Sequence, residues 1–213
     1  MKVDIRDNTP PGDRRPPNPL ADRLLAIGGS AGSLQVILSL LPAIGEGFPM
    51  PVLVVLHRNG VFESSLEDLF ATRTRMPIKE VEEKEILHNG SIYICPADYH
   101  VLLEKDHSFS LDYSERVNFS RPSIDVTFRS AADVYGPGLI CLLLSGGNAD
   151  GVEGMQYAQE KGGLTIVQDP ATADVPYMPQ QAVTRMKTDF IIPADQLPDF
   201  VRGLGQSPNP PHK

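Results

Sequence analysis

The chain has no tryptophan, only two cysteines, and no apolar stretch near the ~20 residues that cross a bilayer. Its first residues, Met1-Lys-Val-Asp-Ile-Arg6, run into prolines and lack the apolar core of a secretion signal. A cytoplasmic protein with no membrane insertion is the expectation. Positive charge is scarce: 19 Lys and Arg stand against 27 Asp and Glu, for a net charge of −8. Phosphate binding wants a basic face, so nucleic acid is excluded as a main partner. Cys95 and Cys141 both lie inside apolar runs, Ile92–Pro96 and Leu139–Leu143. That placement argues for buried, reduced thiols rather than a disulfide framework. No metal-ligand spacing links the cysteines or His88, His100 and His107.

What remains is enough for one sizeable domain: 213 residues, 41% hydrophobic and 22% charged. Residues 1–19 are rich in proline and charge and cannot bury enough apolar area to order themselves. The tail, 204–213, reads the same way, which leaves 20–203 as the folded domain. Within it, short apolar runs alternate with amphipathic stretches. Strands are expected at Leu24–Ile27, Val52–Leu56, Ile78–Glu80, Ser91–Ile94, His100–Glu104, Leu139–Leu144, Leu164–Gln168 and Phe190–Ile192. Helices are expected at Ser33–Leu41, Ser64–Thr72, Ser123–Tyr135, Asp150–Lys161 and Met178–Arg185. The alternation predicts an α/β fold: a doubly wound, mostly parallel Rossmann-like sheet with helices on both faces. The stretch from Ile78 to Asp112, with its turn signal at His88-Asn-Gly90, is read as a small antiparallel insert or edge.

Three central strands end in a reactive residue. The first leads to Ser30 in Ala26-Ile-Gly-Gly-Ser-Ala-Gly32, the second to His57, and the third through Ser145-Gly-Gly-Asn-Ala to Asp150. Strand carboxyl ends share one edge of a parallel sheet, the usual ligand edge. A serine hydroxyl is a weak nucleophile and needs a base in reach and an acid to orient that base. Each residue also has a plain structural reading: Ser30 as a helix cap, His57 as a satisfied strand-end histidine, Asp150 as a helix N-cap. Gly28-x-Ser30-x-Gly32 fits the nucleophile elbow of α/β-hydrolases, but there the serine follows several strands and the acid precedes the histidine. A dinucleotide site is disfavoured, because Gly28-Gly-Ser-Ala-Gly32 does not fit G-x-G-x-x-G.

Six segments in order carry a resemblance: Ile27-Gly-Gly-Ser30-Ala-Gly, Leu56-His57, Ile92-Tyr-Ile-Cys-Pro96-Ala-Asp-Tyr-His100, Arg121-Pro-Ser-Ile-Asp125, Leu144 through Met155, and Gln168 through Pro179. Over about residues 22–195 the chain resembles the catalytic domain of the protein-glutamate methylesterases of chemotaxis, the CheB family. The resemblance implies a hydrolase that removes methyl esters from glutamates of chemoreceptors, with Ser30 as nucleophile, His57 as base and Asp150 as orienting acid. It implies backbone N–H groups of Ala31 and Gly147 as oxyanion donors, and no cofactor or metal. Glutamine deamidation is compatible, since both reactions transfer an acyl group to water. Arg121 and Met178 are the candidate substrate-binding residues. For Arg121 the plain alternative is a helix start with an ion pair to Asp125; for Met178 it is packing.

Several positions depart from the family pattern. Ala31 stands where threonine is common, Ser33 where glycine is frequent, and Leu56 where glutamine is common. Gly146-Gly147-Asn-Ala replaces a loop that usually carries methionine. Nineteen proline-rich residues cannot form the receiver domain that precedes the esterase in classical members. Control by a separate receiver or methyltransferase partner, or none, is therefore expected. The competing reading is an inactive esterase-fold module that serves as a scaffold in other signalling.

Overall fold

The computed structural model describes residues 21–58 and 66–206. The expected arm at 1–19 and all but the start of the expected tail lie outside these residues. The main sheet has seven strands, all paired in parallel: β1 (Leu24–Gly29), β2 (Val52–Leu56), β3 (Ile78–Glu80), β4 (Ile92–Ile94), β7 (Leu139–Leu143), β8 (Leu164–Gln168) and β9 (Phe190–Ile192). Their order is β3-β4-β2-β1-β7-β8-β9. From β1 the chain adds β2, then β3 at the edge with β4 filling in between, and returns to build outward on the other side through β7, β8 and β9. The β1/β7 junction is thus the switch point, where an open α/β sheet leaves a crevice at the strand carboxyl ends.

Burial on both faces explains the unbroken apolar strands. Along β1, Leu25 and Ile27 face one cluster while Leu24 and Ala26 face the other. β2 and β7 alternate in the same way. One layer is formed by α1 (Ser33–Leu40) and α6 (Leu197–Gln206), with Ile37, Leu38, Leu197, Val201 and Leu204 turned inward. The other is formed by α3 (Ile124–Tyr135), α4 (Val152–Glu160) and α5 (Tyr177–Arg185), which contribute Ile124, Phe128, Met155, Met178 and Ala182. Each fully buried aliphatic or aromatic side chain of this kind contributes about 1.5–3 kcal/mol. A short helix, α2 (Leu66–Ala71), adds the buried Phe70 to the α1/α6 side.

The expected insert is smaller than its sequence bounds. β5 (His100–Leu103) and β6 (Phe109–Asp112) pair antiparallel as a separate two-stranded sheet, with Ile86 bridging antiparallel to Ser108 beside it. β3 and β4 instead extend the main sheet in parallel. The cause is the intervening chain, which leaves the sheet edge to run beside the hairpin: Lys84 N–H donates to Phe109 O, Leu87 N–H to His107 O and Phe109 N–H to Glu85 O. It then re-enters β4 in the same direction as β3. α6 carries through Gln206, past the expected boundary at 203.

α3 is the element that matters most to the site. Ser123 caps it, its Oγ accepting from Val126 N at 3.4 Å. The β5/β6 hairpin clamps it from outside: Thr127 Oγ1 donates to Val101 O at 2.9 Å and Ser130 Oγ accepts from Leu103 N at 3.1 Å. Gly28 lets its first turn sit directly on β1; a Cβ at Gly28 would lie 2.5 Å from Ile124 Cγ2.

Candidate active site

β2, β1 and β7 are neighbours, so the three sequence-predicted residues emerge at one edge. Gly29 and Leu56 are register partners, which makes Ser30 and His57 the next pair along strands spaced about 4.8 Å apart. His57 N–H donates to Gly29 O at 3.2 Å, and Ser30 N–H donates to Ser145 O at 2.9 Å. Gly29 is thus tied to the strand of His57 on one side, and Ser30 to the loop after β7 on the other. Ser33, at the start of α1, returns N–H and Oγ to Ser30 O at 3.1 and 2.6 Å.

Asp150 lies on the same loop and is completely buried. It does not cap α4, whose N-cap is Gly151 with φ 96, a left-handed conformation that suits glycine. A Cβ there would also lie 2.7 Å from Ile124 and Leu143. The backbone swings here so that the Asp150 carboxylate meets the start of α3 instead. Oδ2 accepts from His57 Nε2 at 2.7 Å and Ile124 N at 2.6 Å. Oδ1 accepts from Ser123 Oγ at 2.7 Å, Asn118 Nδ2 at 3.1 Å and Asp125 N at 3.2 Å. A helix start presents unpaired N–H groups and partial positive charge, a favourable seat for an anion. Burial pushes the Asp150 carboxyl up. The hydrogen bonds from His57, Ser123, Asn118 and Ile124 outweigh it and hold the group below the usual carboxylate range.

An ionised Asp150 assigns the histidine tautomer: Nε2 carries the proton and Nδ1 keeps the lone pair. Nδ1 lies 3.2 Å from Ser120 Oγ. Among the described residues no hydrogen bond joins Ser30 Oγ to His57. Catalytic hydrogen bonds of this kind commonly tighten only with substrate present.

A second carboxyl group sits behind the first. Asp125 Oδ1 accepts from Gly154 N at 2.6 Å and Oδ2 from Asn118 Nδ2 at 2.8 Å. Burial and the adjacent Asp150 charge push Asp125 up to about 7. Asn118 therefore bridges two carboxyl groups with a single amide. Sequence reasoning did not find Asn118, Ser120 or Asn148, whose Nδ2 donates to Asn118 O and Ser120 Oγ. The signal for Asn118 and Ser120 would have been the stretch just before Arg121-Pro-Ser-Ile-Asp125, and for Asn148 its place two residues before Asp150. The plain reading pairs Asp125 with Arg121 at a helix start; instead Asn118 Nδ2 and Gly154 N–H donate to it. Arg121 instead donates to the carbonyls of Tyr113 and Ser114 and stacks 3.9 Å over the Tyr113 ring. It braces the loop that leads into the site. Met178 is fully buried, and its side chain fills the space a Cβ at Gly146 would take, beneath the loop that carries Ser145 to Asp150.

Of the expected oxyanion donors, Ala31 follows Ser30 directly, and Gly147 follows Gly146, where an added Cβ would lie 3.1 Å from Ser30 Cβ. Ala31 and Gly147 are both exposed, and their N–H groups make no hydrogen bond among the described residues. Cys95 and Cys141 are buried and free, remote in character from this polar edge. Among the described residues no cluster of three or more His, Cys, Asp or Glu is placed to hold a metal ion, and no helix is long and apolar enough to cross a membrane.

Comparison with known proteins points one way. The crystal structure of the Thermotoga maritima CheB methylesterase catalytic domain superposes with a TM-score of 0.81 at 30% identity, covering 85% of this chain and 98% of that one. A Leptospira interrogans protein, provisionally named protein-glutamate methylesterase/protein-glutamine glutaminase, is 38% identical over 183 residues, covering 86% of this chain and 95% of that protein. A Methanosarcina mazei protein-glutamate methylesterase/protein-glutamine glutaminase is 32% identical over 210 residues, covering 93% of this chain but 57% of that longer protein. The family model for CheB methylesterase matches residues 25–201. With sequence, fold and domain model in agreement across nearly all of the described residues, the chain belongs to the CheB methylesterase family.

Proposed function

We propose that the protein hydrolyses γ-methyl esters of glutamate side chains on a chemoreceptor or similar signalling protein, and glutamine side-chain amides by the same route. The observation that carries this reading is the partly buried His57–Asp150 pair, 2.7 Å apart, set directly beside Ser30 at the strand carboxyl edge.

The chemistry follows from the charges. Asp150 stays anionic and fixes the imidazole with its lone pair on Nδ1. Ser30 Oγ attacks the ester carbonyl as His57 Nδ1 takes its proton. Asp150 stabilises the imidazolium so formed. The carbonyl oxygen becomes an oxyanion beside the start of α1, where the Ala31 and Gly147 N–H groups receive it. One such donor is worth on the order of 10²–10³ in rate. The imidazolium then protonates departing methanol, or ammonia from glutamine. Water, deprotonated by His57, releases glutamate from Ser30. For attack, Ser30 Oγ takes the place at Nδ1 that Ser120 Oγ holds in the free protein.

Methanol release from a recombinant chemoreceptor cytoplasmic fragment carrying glutamate γ-methyl esters tests the reading. Ser30→Ala should reduce release to background with the fold retained, as read by circular dichroism. A folded Ser30→Ala protein that still releases methanol would remove Ser30 from the chemistry.

A further inference from the structure

Phe119 stands in an unfavourable conformation and an unfavourable environment at once. It occupies the tip of the turn from Val117 to Ser120, closed by Val117 N–H to Ser120 O at 3.2 Å and Ser120 N–H to Val117 O at 2.9 Å. Both central residues are left-handed, Asn118 at φ 50 and Phe119 at φ 63. This pattern is normally filled by Asn-Gly. Asparagine tolerates it; for a bulky side chain it is a true outlier, and such strain collects at functional sites. Packing does not offset it, because Phe119 is 93% exposed.

The residues on either side of Phe119 belong to the site. Asn118 donates to Asp125 and Asp150, and Ser120 Oγ sits beside His57 Nδ1. Further exposed aromatics border the same edge. Tyr113, 65% exposed, lies under Arg121, with Tyr99 at 5.5 Å from its ring. Tyr177, 50% exposed, precedes Met178, whose N–H donates to Gly146 O on the Ser30 side. A glutamyl ester carbonyl lies only a few bonds from its own backbone. A polypeptide that delivers it to Ser30 must therefore bring its neighbouring side chains down onto this rim.

We infer that Phe119 is a docking anchor for the polypeptide that carries the ester. It receives an apolar side chain next to the modified glutamate and so selects protein esters over small ones. The inference rests on the esterase reading above. An aromatic side chain has only two side-chain torsions to fix, and here the turn already fixes its backbone, so it loses little conformational freedom on contact; that is why such residues dominate interfaces.

The test compares two substrates, the methylated receptor fragment and p-nitrophenyl acetate, with wild type and Phe119→Gly. Glycine relieves the left-handed strain, so the variant should melt no lower than wild type. Its kcat/KM toward the fragment should fall roughly tenfold further than toward p-nitrophenyl acetate, chiefly through KM, as truncating an aromatic anchor does. Equal changes on both substrates, or none on either, would overturn the inference while wild type still releases methanol from the fragment. A lower melting temperature for Phe119→Gly would also overturn it, since the ring would then serve the fold. Wild type that releases no methanol from the fragment would instead defeat the esterase reading itself.

Discussion

The two faces of the sheet are built from the same apolar strands but differ in what covers them. On the α1/α6 face the inward side chains are almost all hydrocarbon: Ile37, Leu38, Leu197, Val201 and Leu204 close over Leu25, Ile27, Val52 and Val54. On the α3/α4 face the cover is mixed. Phe128 and Met155 pack there, yet Ser123, Asp125, Thr127 and Asp150 are buried among them. Buried polar groups are costly unless each is hydrogen-bonded, and here the donors and acceptors match. One face therefore supplies cohesion, and the other spends part of its burial on placing a charge. The difference teaches where catalytic sensitivity should reside.

Substitutions can break that division or sharpen it. The largest effect is expected at Asp150→Asn, which keeps the shape but loses the charge that sets the imidazole tautomer. By analogy with the serine-protease case, kcat should fall about 10⁴-fold. Methanol release checks it, and near-wild-type turnover would show that the polar face is merely structural. Next is Leu197→Ala on the hydrocarbon face. It should lower unfolding stability by about 2–5 kcal/mol in urea titration. Turnover of the folded fraction should stay within a few-fold of wild type; a collapse of kcat at low temperature would blur the two faces into one.

The smallest effect concerns Asp125 and is seen in pH dependence. In the folded protein Asp125 holds its proton up to about pH 7. In an unfolded chain an aspartate ionises near about 3.9. The folded state thus binds more protons between these values. The stability Asp125 contributes is complete below about pH 4 and is lost as pH rises toward 7. Asp150 has the opposite sign: its contribution is present above the ordinary carboxylate range and lost as pH falls through its depressed value. Asp125→Asn should flatten the decline in urea stability across pH 4–7. An unchanged slope would mean that the second carboxyl group is ionised throughout.

Much of this was legible in the sequence because strands and their ends carry strong local signals. The runs Val52–Leu56, Ile78–Glu80, Leu164–Gln168 and Phe190–Ile192 match the observed strands in both bounds. Serine, histidine and aspartate at three strand ends could be aligned without a structure, since parallel topology gathers such ends. Two elements were missed. β6, Phe109–Asp112, becomes a strand through its antiparallel pairing with β5, which no local run announces. α6 contains Pro198, Gly203 and Gly205, poor helix formers, and forms because Leu197, Val201 and Leu204 have a hydrophobic face to cover. The direction of β3 and β4 was not legible either, because it depends on a loop that crosses to the β5/β6 hairpin. The Asn118–Asp125–Asp150 network was hidden for a similar reason. Its members meet only through the tertiary placement of α3.

That placement has one more consequence. The donor nearest Asp150 is the Ile124 amide, a main-chain group at 2.6 Å. Amides are common to every residue except proline, so side chains around the first turn can vary widely without erasing this contact. Proline at position 124 alone would delete it at a stroke. The acid's anchorage is encoded in the path of the polypeptide more than in its lettering.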